Sequence, residues 1–218
     1  MRARFWHERW QNKEIGFHQD EVNGHLQQFW SEIKAPKDAY VFVPLCGKSR
    51  DMLWLREQDY KVMGVELSPI AANEFFDESN LSPTVSVQPS FELWEDDNIA
   101  ILVGDFFDLT PEQLQDCGSV YDRASLIALP PDMRERYAQH LTALLKPGIE
   151  VLLIALEYDQ AQMAGPPFSV SEAEVHQLYD EHFHVELLHI VNALDDSPNF
   201  RKRGLTRLDE KVYRLTRR

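Results

Sequence analysis

From residue 40 onward, short apolar runs alternate with helical patterns, and few architectures accommodate that order. Residues 40–45 form an apolar run, and residues 49–58 follow as a helix with Met52, Leu53 and Leu55 as its apolar stripe. Residues 61–65 form a second run ending in Glu66-Leu67-Ser68-Pro69. Ser68 is placed there to cap a helix with Pro69 at its first position, extending to about residue 77. Strand, helix, strand, helix in succession implies parallel strands joined by right-handed crossovers. The middle breaks this rhythm. Residues 91–95, Asp96-Asp97 and residues 98–103 read as a hairpin with an acidic turn, just ahead of Gly104-Asp105-Phe106-Phe107-Asp108-Leu109. Alternation resumes with a strand around 120–126, a helix over about 132–145, a break at Lys146-Pro147-Gly148 and a strongly apolar strand at 151–156. Ser171 and Glu174 have capping-box spacing at the start of a helix over roughly 171–181, and two β-like runs, 184–191 and 211–216, close the chain. Residues 1–38 are rich in tryptophan and polar residues and hold one helical pattern at Val22, Leu26, Phe29, Trp30 and Ile33. The reading is one α/β domain over 1–218, with 1–38 as an N-terminal extension.

Composition narrows the partners. Hydrophobic residues are 44% and charged residues 27%, the balance of a chain with a real core. No run of about 18 apolar residues exists to span a membrane, and no apolar region follows the basic N-terminus as in a secretory signal. Two cysteines, Cys46 and Cys117, are too few for a disulfide framework or a paired-cysteine zinc site, so a cytoplasmic setting is expected. His182 and His184 share a strand face but lack a third ligand, so no metal is expected. A formal net charge of −14 argues against nucleic acid. The charge is uneven: residues 199–218 hold eight Lys and Arg against two acidic residues. Two readings compete for this tail, a protected edge strand and an attractor for an anionic substrate. No long exposed apolar stripe is evident, and a monomer is expected.

In open parallel sheets, ligands bind beyond the carboxyl ends of the strands. The loop after the first strand reads Pro44-Leu45-Cys46-Gly47-Lys48-Ser49. A phosphate loop needs glycine five residues before Gly47, where Phe42 stands, and a dinucleotide fingerprint needs further glycines, but Gly47 is the only one between Gly24 and Gly64. Glu66, 19 residues after Gly47, ends the second strand. A carboxylate there accepts from both hydroxyls of an unphosphorylated ribose and repels a ribose phosphate. Asp105 and Phe106, at the end of the third strand, offer polar backbone and an aromatic wall for adenine. Together these describe an adenosine pocket, against which stand the plainer readings of a solvated Glu66, a tight turn at Gly47 and core phenylalanines.

Several segments carry a family resemblance: FWHERWQNKEIGFHQ (5–19), VFVPLCGKSRDMLWL (41–55), GVELS (64–68), GDFFDL (104–109), YDRASLIALPP (121–131) and GPPFSVS (165–171). Over essentially its whole length the chain resembles the thiopurine S-methyltransferase family, bacterial type. The resemblance implies a Rossmann-like class I methyltransferase fold: a seven-stranded, mostly parallel sheet with an antiparallel last strand, helices on both faces and the extension over the site. It implies S-adenosyl-L-methionine as methyl donor, S-adenosyl-L-homocysteine as product, and cofactor contacts at Trp10, Leu45, Glu66 and Arg123. Trp10 would cover the cofactor, with a cation–π contact to the sulfonium as one contribution. Arg123 is the expected catalytic residue, favouring an acceptor thiolate and stacking on a flat ring; its plainer reading is an ion pair with a carboxylate such as Asp122. Phe17 is expected to wall the acceptor pocket. The family's vertebrate members carry a substrate-side arginine where Asn199 falls; Arg201, Lys202 and Arg203 follow at once, and Arg201 is taken in its place.

The function so implied is methylation of small aromatic or heterocyclic thiols in detoxification, with selenium and tellurium compounds as related acceptors. The alternatives are a small-molecule N- or O-methyltransferase on the same fold and a non-catalytic adenosine-binding module. Oxygen acceptors generally need a base or metal, and no His/Asp cluster stands out for one.

Overall fold

The computed structural model describes residues 3–16 and 18–218, in two compact units, Met1–Tyr121 and Asp122–Arg218. The first unit opens with α1 (Ala3–Gln11) and α2 (Gly24–Phe29), the latter running into a 3-10 turn at Trp30–Glu32. The side chain of Asn23 accepts from the amides of His25 and Leu26, capping α2. Then come β1 (Tyr40–Val43), α3 (Asp51–Glu57), β2 (Lys61–Glu66), α4 (Pro69–Glu78), β3 (Thr84–Val87), β4 (Glu92–Asp96), β5 (Ile99–Val103) and β6 (Cys117–Arg123). Their order is β3-β4-β5-β2-β1-β6. β5, β2, β1 and β6 are parallel, whereas β4 pairs antiparallel with β5, and β3 with β4. Every residue of β5 is buried, and so are Val41, Phe42 and Val43 of β1. Strands covered on both faces read as unbroken apolar runs, which is why these were visible in the sequence.

The second unit holds α5 (Ser125–Ala128), α6 (Pro131–Leu144), β7 (Glu150–Glu157), α7 (Glu172–Tyr179), β8 (Phe183–Asn192), α8 (Pro198–Lys202) and β9 (Asp209–Arg217). β9 lies between β7 and β8, antiparallel to both. Ser171 caps α7 by accepting from the Glu174 amide, as its spacing requires.

Three expectations are corrected. The described residues hold nine strands, not seven, because β3 and β4 are added antiparallel to the edge of β5. All four residues of β3 are exposed, so no buried face marked it as a strand. β6 covers Cys117–Arg123 rather than 120–126: Ala124 turns left-handed at φ 70°, ending the strand and sending Leu126 into α5. The apolar pattern predicts no helix before Val22, yet Ala3–Gln11 is helical and buries Trp10.

One close approach fixes the loop after β1. A Cβ at Gly64 on β2 would stand 2.6 Å from Cys46 Sγ and 3.3 Å from Met52 Sδ. Gly64→Ala is expected to destabilise the protein by about 1–3 kcal/mol through overpacking. Adding Cys46→Ala, which removes the nearest atom, should recover part of that loss. Denaturant midpoints of wild type, Gly64→Ala, Cys46→Ala and the double variant check this; equal stability of Gly64→Ala and wild type would show that position 64 has room for a methyl group.

Candidate active site

The loop after β1 is bent by two left-handed residues, Leu45 at φ 47° and Gly47 at φ 52°. A leucine in that region costs on the order of 1–3 kcal/mol and persists only where its surroundings impose it. The imposing contacts come from β2. The Cys46 amide donates to the Val65 carbonyl at 3.0 Å. The Gly47 amide donates to Glu66 Oε2 at 2.9 Å, and the Ser68 amide to Glu66 Oε1 at 2.8 Å. The Glu66 carbonyl in turn accepts from the Gly104 amide at 2.9 Å. One residue therefore ties together the loops after β1, β2 and β5.

Glu66 is only 6% exposed. Burial pushes its carboxyl up from 4.5 to about 6, opposed by the amides of Ser68, Gly47 and Leu67, which favour the anion. An ionised carboxylate has about four acceptor positions, so the amides of Gly47, Ser68 and Leu67 still leave it able to accept from a hydroxyl donor. Trp10 closes over the same loop: a Cβ at Gly47 would stand 3.3 Å from Trp10 Cζ2. Position 47 thus needs glycine both for its φ and for the indole above it.

The lysine of the GKS tripeptide is committed elsewhere. Lys48 Nζ pairs with Glu74 Oε2 at 2.8 Å and Glu78 Oε1 at 2.6 Å, both on α4. This pairing agrees with the rejection of a phosphate loop. Asp105 accepts from the Phe107 amide at 2.9 Å, capping a 3-10 turn over Phe106–Asp108. Phe106 is 2% exposed and meets Phe107 edge-on at 5.4 Å between ring centroids. Phe106 can therefore serve a ligand through backbone, while Phe107 has the more open ring. Phe17 lies outside the described residues. Its neighbour His18 is half-buried, and its pKa is lowered, first by burial and then by the Lys48 charge.

Asp51, which sequence reasoning passed over, is buried at the start of α3. It accepts from the Asn23 amide at 2.8 Å and the Tyr121 hydroxyl at 2.9 Å, tying the extension to the rest of its unit. Only the tertiary fold brings these positions together.

In the second unit, Arg123 is partly buried at the end of β6, directly before left-handed Ala124. The adjacent Asp122 is fully buried, its carboxyl pushed to about 6 by burial, and Tyr137 Oη donates to its Oδ2 at 2.7 Å. Arg201 is exposed on α8 and ion-paired with Asp195. Arg203 lies over the Phe200 ring at 5.9 Å. Part of the basic tail is neutralised within its unit: Lys211 pairs with Glu157 at 2.7 Å and Glu172 at 3.0 Å, and Arg214 with Glu186 at 2.5 Å. Arg207 pairs with Asp209 at 2.8 Å. The tail is a strand but not the edge strand expected from its charge: β9 lies between β7 and β8, so both of its sides are paired, and its Lys211 and Arg214 are held by carboxylates of the same unit.

Among the described residues, no group of three or more His, Cys, Asp and Glu is placed to hold a metal ion. No described helix is long and apolar enough to cross a membrane.

The fold is similar to an S-adenosylmethionine-dependent methyltransferase from Anabaena variabilis, with a TM-score of 0.65 and 15% identity over 99% of this chain and 95% of that one. It is also similar to 1,6-didemethyltoxoflavin-N1-methyltransferase from Burkholderia thailandensis, solved with 1,6-didemethyltoxoflavin and S-adenosylhomocysteine bound. There the TM-score is 0.63 with 17% identity, covering 98% of this chain and 87% of that one. The architecture is that of the class I methyltransferases. The family model described as thiopurine S-methyltransferase matches residues 1–218. A relative of that name from Nitrosospira multiformis is 49% identical over 218 residues, 100% of this chain and 99% of its own length. Another from Pseudomonas fluorescens is 49% identical over 215 residues, 99% of each chain. The chain belongs to the thiopurine S-methyltransferase family, and it is a methyltransferase.

Proposed function

We propose that the chain transfers a methyl group from S-adenosyl-L-methionine to the sulfur of small aromatic or heterocyclic thiols, thiopurines among them. It works as a single methyltransferase domain, a cytoplasmic monomer that detoxifies foreign sulfur compounds, with selenium and tellurium compounds as further acceptors. The observation that carries this reading is Glu66: a buried carboxylate at the end of β2, held by the Gly47 and Ser68 amides with acceptor capacity to spare. That acceptor fits a ribose diol, whose hydroxyls donate. The left-handed Leu45 and the indole packed on Gly47 fit a loop shaped for close approach of a ligand to backbone.

When bound, the cofactor supplies a methyl group on a sulfonium, made electrophilic by the positive sulfur. Glu66 would hold the ribose hydroxyls, Leu45 would present backbone and apolar contact, and the turn at Asp105 and Phe106 would receive the adenine. Trp10 would cover the site and exclude water. Arg123 would hold the acceptor as its anion and stack on its ring. A heteroaromatic thiol ionises readily, so alignment is the main demand, and no strong base is compulsory. Phe17 would wall the acceptor. Arg201 would orient an anionic acceptor in competition with Asp195.

The raised Glu66 pKa gives the reading a pH signature. Folding favours the protonated form, so this group's contribution to stability is full below 4.5 and is lost as pH rises through about 6. Ribose hydroxyls donate to the anion and so have the opposite preference. Affinity for S-adenosylhomocysteine is therefore expected to rise as pH increases through about 6, with proton release on binding. Calorimetry in buffers of different ionisation enthalpy measures both; uptake of a proton would contradict the ribose assignment.

The direct test is calorimetric titration with S-adenosylmethionine and S-adenosylhomocysteine, followed by mass spectrometry of a ternary mixture with mercaptopurine. Binding of both and formation of the methylthioether are expected. Failure to bind either overturns the adenosine pocket.

A further inference from the structure

Arginine is rarely buried without a partner, and Arg134 on α6 is only 1% exposed. Its Nε donates to the Leu129 carbonyl at 2.8 Å, and its Nη1 pairs with Glu174 Oε1 on α7 at 2.5 Å. Its guanidinium carbon lies 5.9 Å from the centroid of the Phe168 ring. The Phe168 amide donates to the Ile127 carbonyl at 2.6 Å, and Tyr158 Oη donates to the Pro167 carbonyl, also at 2.6 Å. Gly165, at φ 79°, lies against the same ring: a Cβ there would collide with Phe168 Cδ1. The Phe168 amide thus ties residues 165–168, which follow β7, to residues 127–129, which follow β6, and the Arg134 guanidinium braces both segments through the Leu129 carbonyl and the Phe168 ring.

A clamp between two helices does not require this chemistry. Well-packed apolar side chains often replace a buried ion pair at no loss of stability. An apolar side chain cannot satisfy the Leu129 carbonyl while also bracing an aromatic ring, and these are the contacts Arg134 makes to the two loops. Both loops leave the carboxyl ends of their strands, where sheets of this kind receive ligands.

We propose that Arg134 is a positioning residue for the acceptor: through Leu129 and Phe168 it shapes the wall against which the thiol is held. This rests on the thiol-methylation reading above. Lysine keeps the charge but lacks the planar fork that serves carbonyl, carboxylate and ring together.

The test compares wild type with Arg134→Lys, Phe168→Leu and Glu174→Gln. Each protein is titrated with S-adenosylhomocysteine, then with mercaptopurine in its presence, and assayed for kcat and KM. In Arg134→Lys, S-adenosylhomocysteine affinity is expected to stay within about twofold, while mercaptopurine Kd and KM rise about tenfold. Phe168→Leu should reproduce the rise in acceptor Kd with the ion pair intact, which keeps the test valid if Arg134→Lys folds poorly. Lower thermal stability with unchanged acceptor Kd and KM would make Arg134 purely structural and overturn the proposal. An equal loss of affinity for cofactor and acceptor would overturn it too. Wild-type protein that binds S-adenosylhomocysteine but no thiol would overturn the reading beneath, and the proposal with it.

Discussion

Replacing Glu66 by glutamine is expected to weaken S-adenosylhomocysteine binding by roughly two to three orders of magnitude, since hydrogen bonds to a charged group contribute about 1.5–3 kcal/mol each. The substitution is nearly isosteric, yet it is not mild here. Both carboxylate oxygens already accept backbone amides, from Gly47 and Ser68. A glutamine must turn its own NH2 toward one of them, setting donor against donor. The loop after β1 or the turn into α4 would then shift, and the ribose acceptor would move with it. Global stability should change less, because two effects oppose. The carboxylate is held buried against its preference for water, as its pKa of about 6 records. Glutamine removes that cost while leaving one amide poorly satisfied. Calorimetry paired with a thermal melt separates the effects. A wild-type dissociation constant together with a lower melting temperature would reduce Glu66 to a loop clamp.

How much of this was legible depends on how local each signal is. Ser68-Pro69 announced α4 because a cap and its proline act within one turn, and Ser68 does accept from the Ala71 amide. Glu66 could be located as the acidic end of an apolar run. Its grip on Gly47 could not, because nothing local shows that the loop bends back through a left-handed Leu45. The three-residue displacement of β6 has the same origin: alanine at positive φ is rare, so Ala124 gave no warning that the strand stops at Arg123. β3 was missed because an exposed edge strand buries no face. Arg134 was missed because a charge on a helix ordinarily faces water, and only packing reveals a buried one. Lys48 marks the reverse case. Its GKS context suggested a phosphate ligand, but the absence of glycine at position 42 ruled that out before its pairing with Glu74 and Glu78 was visible.

These differences follow from the chemistry proposed for the site. Methyl transfer to sulfur demands placement more than acid–base machinery, and placement comes from backbone turns and buried polar ties. Leu45, Gly47 and Ala124, three residues at positive φ, stand in the loops that directly follow β1 and β6. Strain of this kind gathers where the surroundings over-determine the backbone, and local propensity predicts it poorly.

Arg123→Met is expected to lower kcat/KM by about a hundredfold for a weakly acidic thiol, the scale of losing one preorganised electrostatic partner. The argument turns on the acceptor's protonation. A guanidinium beside a bound thiol favours the thiolate and lowers its pKa. Without it, the acid limb of the pH–rate profile should move up toward the thiol's own pKa in water. The loss should then shrink for acidic heteroaromatic thiols, which are already ionised at neutral pH and need no help to become nucleophiles. Arg123→Lys keeps the charge but not the flat stacking surface, so it should restore the pH profile more fully than the KM for ring-bearing acceptors. Measuring both variants against an aliphatic and a heteroaromatic thiol therefore separates electrostatic activation from orientation. A loss of equal size for both thiols, with the pH profile unmoved, would assign Arg123 to orientation alone. A loss that only tracks a fall in melting temperature would return it to a structural role at the end of β6.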